Sequence, residues 1–174
     1  MISGGLMILA YIVLLGLIFG SFLNVCIYRI PKNQSLSFPP SHCTSCNSKI
    51  KAYDLIPVLS YICLKGKCRS CSEKISLRYP VIELLTGVLF GALYIEYGLS
   101  FLFIKYAVLV CFLIVIGMIN FDTTDVYFST IILGIIAAVG FLIYGYFLNL
   151  SVTTFLCGGL LGGGIIGIII LLTH

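Results

Sequence analysis

FLFIKYAVLVCFLIVIGMINF, residues 101–121, carries a single charge, Lys105, in its whole length. At 1.5 Å of rise per helical residue the stretch crosses a hydrocarbon core of about 30 Å, and a helix satisfies every backbone polar group where lipid offers no partner. Four more runs read the same way: Gly5 to Tyr28, Tyr79 to Tyr97, Val126 to Leu148 and Val152 to Leu172. The sequence therefore predicts an all-α polytopic membrane protein with about five transmembrane helices. Composition agrees, because 60% hydrophobic residues, 9% charged residues and a mean hydropathy of +1.17 lie outside the range of soluble domains. Ten basic and six acidic residues are too few for a disordered tail or a nucleic-acid-coating module. The first run is too long for a signal-peptide core, lacks a basic start and meets no small-residue cleavage site, so it reads as a retained helix.

Between the first two runs lies a polar insert, residues 29–78, which divides the chain into a first helix (1–28), the insert, and a membrane part (79–174). Nine basic residues against two acidic ones, Asp54 and Glu73, give the insert a net charge of +7. The positive-inside rule then places the insert in the cytoplasm and the N-terminus outside. Four of the eight cysteines stand in the insert as Cys43-x2-Cys46 and Cys68-x2-Cys71. Each C-x-x-C turn presents two thiolates to one ion, and two such turns complete a tetrahedral four-sulfur zinc site. A cytoplasmic setting disfavours disulfides, and an insert with few large apolar residues needs a metal staple to fold. Two redox C-x-x-C pairs are the competing reading. Cys26, Cys63, Cys111 and Cys157 stand alone. The glycines between Gly158 and Gly167 read as close helix packing, and no Gly-rich nucleotide loop in a strand-helix context is present.

Charges in or beside the apolar runs are costly there and mark candidate sites. Glu96 and Lys105 sit near helix ends and read as interfacial, whereas Glu83 lies about a turn inside the second helix. Asp122 and Asp125 fall in the short link before the fourth run, where a carboxylate also reads as a helix N-cap.

Gly20-Ser-Phe-Leu-Asn-Val-Cys-Ile-Tyr-Arg-Ile-Pro31, His42-Cys-Thr-Ser-Cys46, Tyr53-Asp-Leu-Ile-Pro-Val-Leu-Ser60, Gly66-Lys-Cys-Arg-Ser-Cys71, Ile75-Ser-Leu-Arg-Tyr-Pro80 and Glu83-Leu-Leu-Thr-Gly87 together closely resemble the type IV prepilin peptidases. The resemblance implies a bifunctional enzyme of the bacterial plasma membrane. Such an enzyme cleaves the basic leader of prepilins and pseudopilins at the cytoplasmic face, then N-methylates the new N-terminus with S-adenosylmethionine. It also implies that the zinc insert is methylation-associated, with Arg29 and Glu83 at its edges able to pair or to position a peptide amine. In this family two close membrane aspartates share a proton, one activating water while the other protonates the leaving group. The first aspartate leads an Asp-x-Asp motif at the end of the third helix, and that position here is Asn120. The second follows a glycine-rich helix in a Gly-x-Gly-Asp motif, which does not occur before His174.

The expectation is therefore an N-terminal portion of such an enzyme, inactive in proteolysis, whether by engineering or as a natural inactive paralogue. Asp122 and Asp125 are the remaining carboxylates, but Asp122 lies about 200° around the helix from position 120. The expected partners are a prepilin with a basic leader and a hydrophobic helix, and membrane lipids. Nucleic acid is not among them. A +7 insert repels a basic leader unless anionic lipids intervene or Asp54, Glu73, Glu83, Asp122 and Asp125 form an acidic patch. The alternative is a non-catalytic membrane adaptor whose zinc-stapled loop binds a partner.

Overall fold

A computed structural model describes residues 2–124 and 127–148. Its helices are α1 (Ile2–Arg29), α2 (Leu59–Cys63), α3 (Arg78–Tyr97), α4 (Phe101–Thr123) and α5 (Phe128–Phe147). Four of the five, α2 excepted, are long and apolar enough to cross a membrane. They match the first four predicted spans to within three residues at each end. The fifth predicted span and its glycines lie outside the described residues.

The ends of the spans follow local chemistry. Pro80 occupies the first turn of α3, where its missing N–H costs no helical bond. Ser100 is extended and accepts the Phe103 amide to open α4, and Thr124, in the left-handed region at φ 57°, closes it by donating its amide to Asn120 O. Gly98 likewise ends α3 with φ 59°.

The described residues fall into two compact units, one up to Thr130 and one from Ile131 on. In the first, α1, α3 and α4 pack together. Leu23, Cys26 and Ile27 of α1 meet Ile82 of α3 and Ile114, Val115 and Ile119 of α4 in one cluster. A second cluster nearer the opposite end joins Ile12, Phe90, Phe103 and Ala107.

Close approach of α1 to α3 is made by small residues. A Cβ on Gly20 would lie 2.7 Å from the Glu83 Cα, and one on Gly16 would lie 2.8 Å from the Gly87 Cα. This small-x3-small packing is the general device where lipid supplies no hydrophobic drive between helices. Among the described residues it is found at Gly16, Gly20, Gly87 and Gly91, while the glycines between 158 and 167, for which the sequence also suggests it, lie outside them.

Candidate functional site

The insert folds as two copies of one knuckle. In each, the amide of the first cysteine donates to the carbonyl five residues on (Cys43 to Ser48, 2.9 Å; Cys68 to Glu73, 2.8 Å), and the amide four residues on donates back (Asn47 to Cys43 and Ser72 to Cys68, both 2.9 Å). Asn47 and Ser72 turn each knuckle through positive φ, 55° and 60°. Bridges His42–Lys49 and Lys67–Lys74 close the two stems.

The knuckles bring the sulfurs of Cys43, Cys46, Cys68 and Cys71 within 4.8 Å of one another, with Cys43 and Cys71 3.8 Å apart. Sulfurs held at about 2.3 Å by a tetrahedral zinc ion stand at nearly that mutual spacing, so the set fits the ion. Hydrogen bonds from the backbone of Cys71 and Ser70 draw the Cys68 thiol down to about 6. Contacts with Ser48 lower Cys46. Cys71, although lowered by its Glu73 backbone contact, is pushed up to about 12 by hydrogen bonding with Cys46, burial, and the Cys68 and Cys43 sulfurs. Crowded sulfurs thus hold a proton that a divalent cation would displace.

The connector between the knuckles is fastened without metal. Arg69, inside the second knuckle, makes a two-pronged contact with Asp54 through Nε (2.9 Å to Oδ2) and Nη2 (2.6 Å to Oδ1). The guanidinium lies over the Tyr53 ring at 5.3 Å, and its contact holds the Asp54 carboxyl below the usual range. Tyr61 donates to Ile75 O, and Gly66, at φ 67°, leaves room for that ring.

Two buried charged residues anchor the insert to the helices. Arg29 ends α1 and donates to Ser35 O at 2.7 Å and Pro39 O at 2.6 Å. Glu83, on the face of α3 that meets Gly20, accepts the Val58 amide at 2.7 Å. Val58 precedes α2 at φ 61°, an unusual conformation for a β-branched residue. Of the two roles the sequence leaves open for Arg29 and Glu83, pairing with each other or positioning a peptide amine, no ion pair between them is formed among the described residues, and each meets backbone of the insert. Glu83's partner lies 25 residues back and Arg29's lie in irregular loop, so neither contact follows from a regular spacing in the sequence.

At the same end of the bundle α1, α3 and α4 frame a cleft of about 280 Å³ lined by Asn24, Tyr28, Lys32, Arg78, Tyr79 and Asp122 among others. Arg78 pairs through Nη1 with Asp122 Oδ2. Asp122 is thus a partner of α3 rather than an isolated carboxylate, while Asn120 is exposed two residues before it. Asp125 lies outside the described residues, and with it the predicted cap. Asn24 donates to Gly20 O (3.2 Å) and to Tyr79 O (3.1 Å), tying α1 to the start of α3. Arg78, Lys32 and Asn24 were not singled out from the sequence. The available signals were an Asn alone in an apolar run and opposite charges at antiparallel helix ends. Glu96 and Lys105 contribute to neither group.

Residues 14–97 match the bacterial peptidase A24 N-terminal domain. Three relatives are named prepilin leader peptidase/N-methyltransferase. The one from Neisseria gonorrhoeae is 43% identical, over 63% of this chain and 46% of its own length. That from Myxococcus xanthus (strain DK1622) is 39% identical, over 74% and 38%. That from Bacillus subtilis (strain 168) is 37% identical, over 71% and 48%. The chain thus spans less than half the length of each. No solved structure matches it.

Proposed function

The chain is a relative of the type IV prepilin peptidases, and on that premise we propose that it processes prepilins or pseudopilins at the cytoplasmic face of a bacterial plasma membrane. The observation that carries the reading is the unbroken match from α1 through both knuckles into α3, with the four sulfurs gathered as one ligand set. Cys43, Cys46, Cys68 and Cys71 would hold structural zinc, which fixes the insert rather than reacting.

In the methylation half-reaction S-adenosylmethionine, when bound, would supply the methyl group taken up by the nitrogen of the new N-terminus, which would give up a proton as S-adenosylhomocysteine is released. In this reading Arg29 and Glu83 act indirectly, by holding the insert on the helix ends through their bonds to Ser35, Pro39 and Val58. The +7 insert faces the cytoplasm under the positive-inside rule.

For cleavage, an aspartic mechanism needs a carboxylate at position 120, and asparagine cannot take the proton from water. Asp122 is engaged with Arg78, so it does not replace it. This form is therefore inactive in proteolysis. The test is leader removal and N-terminal methylation of a prepilin in membranes, read by mass, for the protein with Asn120 and for Asn120→Asp in a full-length parent. Cleavage only by the aspartate form supports the reading. Equal cleavage by both shows that position 120 is not the base. Failure of both, with zinc bound, favours the adaptor.

A further inference from the structure

The cleft at the insert end of the bundle holds a pair of opposite charges with bonding capacity to spare. Arg78 uses Nη1 on Asp122, and its Nη2 is sealed from solvent without a hydrogen-bond partner among the described residues. A buried donor left unbonded is costly, more so when charged, so an acceptor that reaches it is strongly favoured. Asp122 is about a third exposed and pairs through one oxygen, leaving Oδ1 free of donors among the described residues. Lys32 stands on the same wall, its Nζ 3.5 Å above the Tyr28 ring. The cleft thus offers two cations for an acid and one carboxylate for an ammonium, with aromatic rings beside them.

A carboxylate and an ammonium on one carbon define an α-amino acid. At about 280 Å³ the cleft lies at the small end of ligand pockets, roughly 300 Å³ and upward. That volume suits an amino-acid headgroup and part of its chain, and leaves a nucleoside outside.

We propose that this cleft binds the methionine end of S-adenosylmethionine, a site that rests on the methyl-transfer reading above. A small turn of the guanidinium gives Nη2 and Lys32 to the ligand carboxylate, while Asp122 Oδ1 accepts from its ammonium. The ligand thereby joins α3 to α4 through the pair that already bridges them. Position 78 closes the insert and position 32 lies in its first residues, so the cofactor would sit where the cysteine-bearing segment meets the membrane helices.

The test is equilibrium binding of radiolabelled S-adenosylmethionine and of 5′-methylthioadenosine, which lacks the amino-acid end. The zinc-loaded protein is used in phosphatidylcholine nanodiscs, with zinc content and melting as fold controls. Arg78→Lys keeps one charge for Asp122 but has no second nitrogen for the ligand, and Asp122→Asn removes the ammonium partner. Each is expected to weaken S-adenosylmethionine by about tenfold or more, the worth of a charged hydrogen bond, and to leave 5′-methylthioadenosine unchanged.

If the parent binds S-adenosylmethionine and both variants match it, this site is wrong while the methyl-transfer reading stands. If both ligands weaken equally, the variants act on the fold and the site is again wrong. If the parent binds no S-adenosylmethionine, site and reading fall together. If phosphatidylethanolamine, itself a zwitterion, displaces the cofactor from the parent but not from Arg78→Lys, the cleft is a lipid site and the proposal is overturned.

Discussion

The cysteine insert and the cleft at the helix ends are neighbours built on opposite plans. The insert draws its ligands from two short hairpins, so each half is fixed by contacts between residues no more than nine apart in sequence and only the joining of halves is long-range. The cleft takes Asn24 and Lys32 from around the end of α1, Arg78 from the start of α3 and Asp122 from the end of α4, so no part of it exists until three helices have packed. The difference teaches where each is vulnerable. The insert, on the proposed zinc reading, would fail with the loss of the ion its four sulfurs could hold, and the cleft would fail when helix packing shifts.

The largest separation of the two follows from removing the metal. Zinc contributes on the order of 10 kcal/mol to small four-ligand peptides, far more than Asp54–Arg69 and the Tyr61 bond could replace. Chelation, or Cys43→Ser with Cys68→Ser, should therefore open the insert to protease between residues 41 and 75 while helical circular dichroism persists. Mass-detected cleavage sites and metal content check this. Loss of helix in parallel would mean that the insert supports the bundle. Next comes the reverse experiment. Gly20→Leu drives a branched side chain into the Glu83 backbone, which a Cβ alone would already meet at 2.7 Å. Overpacking of this kind costs about 3 kcal/mol. It should lower the melting temperature of the helices in detergent and leave zinc stoichiometry unchanged.

The same contrast explains what could be read beforehand. Cys43-x2-Cys46 and Cys68-x2-Cys71 announce their chemistry because thiolate spacing within a turn is a local property, and the apolar runs announce the helices because span length is one too. Nothing local says that Glu83 accepts the Val58 amide, since the partner lies 25 residues back on an irregular turn. A charge near a membrane flags a site, but its partner decides the role. Asp122 reads from the sequence only as a remaining carboxylate turned about 200° from position 120, and its pairing with Arg78 across the helix ends is what no local pattern shows. Gly16-x3-Gly20 and Gly87-x3-Gly91 carry the small-residue spacing in the sequence as plainly as the glycines from 158 to 167, but in a less glycine-rich setting that draws less notice.

Glu83 lies between the two plans, a helix residue that holds the insert, and it sharpens the comparison at intermediate size. Glu83→Ala leaves the half-buried Val58 amide without its acceptor, at about 1 kcal/mol. Glu83→Gln keeps a side-chain oxygen in reach and should restore most of that loss. Hydrogen exchange over residues 56–63 reads the difference directly. If glutamine behaves like alanine, the charge itself matters, and Glu83 acts on substrate rather than on the insert.

The smallest effect belongs to the exposed contact between Arg69 and Asp54. Its two-pronged geometry gives it more worth than a single surface bridge, yet Arg69 is half in solvent, where salt screens the attraction. Asp54→Asn keeps an acceptor but removes the charge, so zinc should leave the insert only slightly faster than from the parent protein at low salt, and at the same rate at 1 M salt. Release to a colorimetric chelator at fixed pH gives both rates. A difference that survives high salt would show that Asp54 fixes the second knuckle by geometry, through the paired hydrogen bonds, and would move the insert's stability from its metal towards its connector.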